Sequence, residues 1–303
     1  MNDQSPQLKA YVLLTLTTMC WGMNAIFSKL AVGHIAPMQL VTFRWLGVVL
    51  LLSLFARKKI IKDWPVIRRH LPFLALMGSV GFTTFNALFY VAAHTTSAIN
   101  IGILQGAIPV FVLLGSFILF KHRVHPIQLC GVFITIVGVI IVASGGSLQK
   151  LQTLSFSKGD IYMLIACFFY AAYSIFLTKR PKASALSIFS VMATAAWLAS
   201  LPLVAVETYQ QGWQAPSQTG WIIVLLVALL PSLVAQIFFI QGVGLIGPGR
   251  AGVFVNLVPV FASLLAVSFL GESFQLYHGL ALSLVLGGIG LSELGKKQPL
   301  NPR

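Results

Sequence analysis

Ten stretches of the chain are apolar for about the thickness of a lipid bilayer, and nothing else restricts the fold as much. They run over residues 9–30, 37–56, 71–93, 97–120, 125–145, 158–178, 184–206, 219–242, 248–270 and 274–294. A helix crossing the hydrocarbon core needs about 20 mostly apolar residues. Open strands would leave backbone groups unpaired in lipid, and the stretches lack the alternation of barrel strands. The expected fold is an all-α integral membrane protein with ten transmembrane helices. Composition agrees, since 57% of the residues are hydrophobic and 9% charged, against roughly 25% charged in a soluble domain. Cys20, Cys130 and Cys167 lie inside the stretches with no metal spacing or pairing signal, and read as packing residues. No metal and no cofactor is expected. The first stretch is long and holds Trp21 and Asn24, unlike a cleaved signal peptide.

The stretches are duplicated. Shifted by 150 residues, Gly102, Pro109, Val110, Phe111, Leu114 and Gly138 fall on Gly252, Pro259, Val260, Phe261, Leu264 and Gly288. Asn86 falls on Gln236 and Phe89 on Phe239. With a shift of 149, Ile26-Phe27 falls on Ile175-Phe176 and Trp21 on Tyr170. A fixed-period echo of this size marks an internal repeat. The domains are expected at 1–150 and 151–303, five helices in each. Five is odd, so the second repeat enters the membrane upside down. Inverted repeats build a site near the midplane, and rocking of the halves exposes it to each side in turn. That is the main argument for transport by alternating access. An integral-membrane enzyme is the competing class. No H-E-x-x-H, G-x-S-x-G, aspartate-rich metal motif or Cys/His cluster appears, so no catalytic residue is assigned and no enzyme is expected. Gly247-Pro-Gly-Arg-Ala-Gly252 matches G-x-G-x-x-G, but its flanks are apolar helices instead of a strand and helix of a βαβ unit.

The net charge of +14 would suggest nucleic acid in a soluble protein. Here the basic residues fall in the breaks, and no nucleic-acid partner is expected. With the N-terminus inside, the inner breaks and tails hold Lys9, Arg57, Lys58, Lys59, Lys62, Arg68, Arg69, Lys121, Arg123, Lys179, Arg180, Lys182, Arg250, Lys296, Lys297 and Arg303. The outer breaks hold Lys150 and Lys158. This asymmetry puts both termini in the cytoplasm. Residues 57–70 read as a long basic break between the second and third helices.

Trp21-Gly22, Phe43-Arg44-Trp45, the Gly-x6-Pro-Val-Phe of helices four and nine, and Leu270-Gly271-Glu272 together resemble the EamA repeat of the drug/metabolite transporter superfamily. The resemblance spans the chain as two inverted five-helix EamA repeats. It implies a multi-pass bacterial inner-membrane carrier of small metabolites, with the first, third and fourth helices of each half around a central cavity. The family includes amino-acid exporters, sugar and vitamin carriers and drug exporters. An exporter of small amphipathic, amino-acid-type solutes is expected, with a riboflavin-like vitamin importer or a cationic drug exporter as alternatives. The expected assembly is a monomer or homodimer in the lipid bilayer. One departure stands out: Phe120-Lys121-His122 replaces the Leu-Gly-Glu of the second half, so the carboxylate occurs once.

The acidic residues Asp3, Asp63, Asp160, Glu207, Glu272 and Glu293 all fall in tails, breaks or near helix ends. Without a carboxylate in mid-membrane, His94 is the near-membrane candidate for titration, or else simply bonds the break after helix three. Arg44 lies two turns inside helix two. It either attracts a solute carboxylate, fixes a neighbouring helix or snorkels. Lys29 reads as a snorkelling anchor. Asn24, Asn86, Gln105, Gln236 and Asn256 lie within apolar helices and must face protein, water or solute. Asn86 and Gln236 form an expected symmetric pair. Trp21, Tyr90, Tyr170 and Tyr173 form either an aromatic box for a flat solute or ordinary core. Ala98, Gly102 and Gly106 recur every four residues and read as a close-packing face. Pro109 and Pro259 are expected hinges or static bends, because each removes a backbone hydrogen bond.

Overall fold

Apolar side chains and internally paired backbone leave helices as the structural solution, and a computed structural model bears this out. It describes residues 4–121, 125–147, 149 and 156–296. The expected division at residue 150, and Asp3, His122, Arg123, Lys150, Lys297 and Arg303, lie outside them. Among the described residues every regular element is helical, and ten helical spans are long and apolar enough to cross a membrane.

The first half comprises α1 (Gln4–Ala31), α2 (Pro37–Phe55), α3 (Arg57–Ile67), α4 (Leu71–Gly78), α5 (Phe85–Ala92), α6 (Ala98–Leu104), α7 (Ala107–Phe120) and α8 (Pro126–Ala143). The second comprises α9 (Lys158–Phe176), α10 (Ala185–Gln211), α11 (Gln218–Val227), α12 (Ala235–Ile246), α13 (Pro248–Phe254), α14 (Val258–Leu270) and α15 (Leu276–Lys296). Starts and stops follow local chemistry. Pro37 and Pro126 open α2 and α8, where the missing N–H costs nothing. Ser97, Ser157, Ser184 and Ser217 cap α6, α9, α10 and α11 through their hydroxyls. Lys121 and its repeat mate Gly271 end α7 and α14 in the left-handed conformation.

Three features depart from the sequence reading. The basic break is helical: α3 buries Ile67 and keeps Arg57, Lys58, Lys59 and Lys62 exposed. Its charge density hides a helix whose apolar residues need only one contact face. α10 runs on to Gln211, so Glu207 sits in its last turns and not in a break. The third and eighth spans each contain a π-helical segment, Ser79–Thr84 and Ala228–Val234. These occupy corresponding places in the two repeats.

The repeats are antiparallel. Glu272, just before α15, touches the first residues of α6, so α6 and α15 start at one end of the bundle. α8, the repeat mate of α15, starts at the other. α8 and α15 pack tightly, and Gly131 and Gly288 lie so near the facing backbone that a Cβ at either would collide with it.

Candidate functional site

The prolines decide where the helices open. Pro109 and Pro259 cannot donate to the carbonyls of Gln105 and Val255 four residues back. Each helix is interrupted there. The α6 run ends at Leu104 and α7 begins at Ala107, with the Gln105 carbonyl taking a bond from the Ile108 N–H at 3.0 Å. In the second half a 3₁₀ turn, Val255–Leu257, separates α13 from α14. Both interruptions, and both π segments, line one cavity of about 140 Å³ at the seam between the repeats. Trp21, Asn24, Arg44, Asn86, Gln105, Tyr170, Gln236 and Asn256 all line it, as do Pro109 and Pro259.

Arg44 is the charged member of that wall. Its side chain is 5% exposed, which rules out snorkelling. Nε donates to the Ser232 hydroxyl at 2.7 Å, and Ser232 belongs to the second π segment. Nη1 donates to the Asn86 Oδ1 at 2.6 Å, the Tyr90 hydroxyl at 2.6 Å and the Asn24 Oδ1 at 3.3 Å. The Tyr90 hydroxyl in turn donates to Asn24 Oδ1 at 3.2 Å, and Asn86 Nδ2 donates to the Phe82 carbonyl at 2.6 Å. All four partners are neutral. Nη2 has no hydrogen-bond partner among the described residues. The guanidinium carbon also lies 5.3 Å from the Trp45 ring centroid, and Trp45 stacks on Phe82 at 4.7 Å and 9°. Trp45 lines the cavity, and its indole N–H is buried and unpartnered among the described residues.

The expected symmetric pair is unequal. Asn86 holds Arg44, whereas Gln236 lines the cavity without touching it, and Ser232 is the residue of the second half that binds the charge. The aromatic box is divided. Trp21 and Tyr170 line the cavity, with the Trp21 indole donating to the Pro231 carbonyl at 3.2 Å. Tyr90 lies behind Arg44, and Tyr173 packs against Phe82 and the backbone of Gly81. His94 is elsewhere, at the rim of a shallow cavity that also holds Lys29, Glu272 and His278. Desolvation there, and then the Lys29 ammonium, hold its imidazole below its ordinary pKa. Lys29 is not a free anchor, because its Nζ donates to the carbonyls of Ala93 at 2.8 Å and Thr96 at 3.0 Å.

Four carboxylates join the halves at helix ends, a role the sequence reading missed. Glu272 accepts from the Ala98 N–H at 2.8 Å and the Ile99 N–H at 3.0 Å at the start of α6. Glu207 accepts from the Met38 N–H at 3.1 Å and the Gln39 N–H at 3.2 Å at the start of α2. Asp160 accepts from the Thr96 hydroxyl and from Asn100 Nδ2. Asp63 accepts from the Ser184 N–H at 3.0 Å. The first three lie at the end of the bundle away from the start of α1.

That end is closed. α6 packs on α14, and Gly102 lies so close to Ala262 that a Cβ would collide. At the other end, where α1 starts, the repeat mate of α6 is α13, which packs on α12 and α1 but is not pressed against α7. A Cβ on Gly252 would meet nothing within 4 Å. Ile103 is 0% exposed and its mate Val253 is 51% exposed.

Residues 8–144 and 157–293 each match the EamA-like transporter family. The chain is 27% identical over 297 residues to "Uncharacterized transporter YetK" of Bacillus subtilis, covering 97% of this chain and 89% of that protein. It is 25% identical to "Uncharacterized inner membrane transporter YedA" of Escherichia coli K12, covering 91% of this chain and 88% of that one. It is also 25% identical to a "Probable amino-acid metabolite efflux pump" of Salmonella typhimurium, covering 93% and 94%. A solved crystal structure, 17% identical, superposes over 97% of this chain and 98% of its own with a TM-score of 0.59.

Proposed function

Because this chain belongs to the EamA-like transporter family, we propose that it is an inner-membrane secondary carrier exporting a small amphipathic, amino-acid-type metabolite by alternating access. One observation carries the reading: two repeat-related segments beside the central cavity are packed to different degrees. α6 is buried and clamped by Glu272, and α13 is exposed. An inverted repeat that exchanged these two packings would open the cavity to the other side. Sixteen of the 20 basic residues support a cytoplasmic assignment for the end where α1 starts. On that assignment the conformation faces the cytoplasm, where an exporter loads.

The cavity's make-up supports an amphipathic solute, with aromatic walls at Trp21, Phe85 and Tyr170 and neutral amides at Gln105, Gln236 and Asn256. The efflux-pump relative supports the amino-acid class. Among the described residues no carboxylate lines the cavity, which weighs against a cationic drug as cargo. The test is counterflow in proteoliposomes loaded with pooled amino acids and their metabolites. Saturable exchange of a labelled pool member is expected. A correctly inserted protein that exchanges none of them overturns the solute class. Hydrolysis or group transfer on a membrane extract would turn the assignment towards an enzyme.

A further inference from the structure

We propose that the cavity selects monoanions: a carboxylate on Arg44, an apolar body against the aromatic wall, and no free ammonium. This rests on the carrier reading above and narrows its solute.

The charge balance leads to it. A guanidinium at this depth is costly unless an opposite charge meets it. Among the described residues Arg44 has four neutral hydrogen-bond partners and no carboxylate. Asp63, Asp160, Glu207 and Glu272 are committed to helix ends of the opposite half. The missing counter-charge is supplied by the cargo. Arg44 suits that role, since a planar guanidinium meets a carboxylate with directed N–H bonds.

The unsatisfied groups of the wall point the same way. The bonds of Arg44 to the described residues use Nε and Nη1 and leave Nη2 over, and the buried Nε1 of Trp45 also lacks an acceptor among them. An open donor on a positive charge describes an acceptor-only, negatively charged ligand. The rest of the wall offers neutral amides and rings. A solute ammonium would meet no carboxylate and would be repelled by Arg44. Deaminated or N-acylated amino-acid derivatives therefore fit better than the zwitterions.

The choice of a monoanion also addresses the driving force. No carboxylate or histidine lines the cavity among the described residues, so nothing there titrates near neutral pH to couple a proton. A monoanion does not require it. An inside-negative potential of about 100 mV favours its outward movement roughly 50-fold.

The experiment uses three probes with one phenyl body: N-acetylphenylalanine as the anion, phenylalanine as the zwitterion and phenylalaninamide as the cation. Thermal stabilisation and competition for counterflow are read on purified full-length protein. The expected order is anion over zwitterion by tenfold or more in half-saturating concentration, with no effect of the cation. Imposing a membrane potential with potassium and valinomycin is expected to drive the anion towards the positive side without a pH gradient. Arg44→Lys, which keeps the charge and loses the planar fork, is expected to weaken the anion at least fivefold and leave the cation without effect. A zwitterion or cation that binds as tightly as the anion overturns the proposal. So does anion affinity unchanged in a folded Arg44→Lys. Exchange of another solute with no anion binding leaves the carrier standing and overturns only the charge selection. Anion binding with no exchange of any solute supports the charge selection and removes the carrier reading.

Discussion

α6 and α13 are two versions of one segment, and they differ in almost every contact. Each leads through an interruption into a Pro-containing helix, and each has a glycine at the corresponding place, Gly102 and Gly252. One glycine is pressed against Ala262 and the other faces open space. Ile103 is sealed and Val253 is exposed. Their partners differ too: Glu272 accepts two backbone N–H groups of α6, and the residue 150 positions earlier is His122. A carboxylate that takes bonds from helix-start N–H groups also meets the positive end of the peptide dipoles. The pair teaches that two copies of one segment can be packed differently when a carboxylate that holds one has no counterpart in the sequence beside the other.

Substituting the two glycines should break the comparison most strongly. Gly102→Val forces a side chain into the α14 contact and is expected to cost about 1–3 kcal/mol of the closed end. Gly252→Val meets no neighbour and should leave stability within about 0.5 kcal/mol. Under alternating access, Gly252 is pressed in the opposite state, so turnover of Gly252→Val should fall roughly 5- to 150-fold. Thermal unfolding and counterflow on the two variants check this pair. Full turnover in both would remove the exchange of packings.

Glu272→Gln replaces charged acceptors with a neutral one and should weaken the closed end by about 1 kcal/mol, roughly fivefold in population. Labelling of Ile103→Cys by an impermeant maleimide measures it, in a background where the exposed Cys130 is serine. Labelling should rise with Glu272→Gln, and an unchanged rate would mean that the carboxylate is not the clamp.

His122→Glu sharpens the comparison by restoring the missing repeat of the carboxylate. It should protect Val253→Cys from the same reagent by a few-fold. No protection would place the origin of the asymmetry elsewhere in the halves.

The smallest effect belongs to His94. Its imidazole is held below the ordinary value by desolvation and by Lys29, so the unfolded chain takes up the proton first as pH falls. Stability is lost below about pH 6.5, and His94→Ala should remove only that loss. Melting curves at neutral pH should coincide with wild type, as should exchange rates, since His94 lies outside the central cavity. A large loss of exchange at neutral pH would put His94 back into the solute path.

Much of the architecture was legible because it depends on runs of like residues. Ten apolar stretches gave ten spans, and the Gly-x6-Pro echo located both repeats and both interruptions. The lone arginine and the buried amides were legible as a set, since lipid tolerates neither without partners. α3 was hidden because Arg57, Lys58, Lys59 and Lys62 lower its hydropathy, although one buried face suffices to dock a helix. The π segments carried no sequence signal, because one extra residue in a helical turn leaves composition unchanged.

What the sequence determined by itself was the solvent, the number of spans and the inversion. These follow from hydropathy and parity, and need no knowledge of what touches what. Only the tertiary structure decided that Asn86, Tyr90, Asn24 and Ser232 converge on Arg44, that Tyr173 and His94 do not join them, and that Glu272 closes one end while α13 stays exposed. The contacts among these join residues 20 or more positions apart in the chain. A hydrogen bond acts over about 3 Å, so its partners are fixed by how the helices cross and not by their order along the sequence.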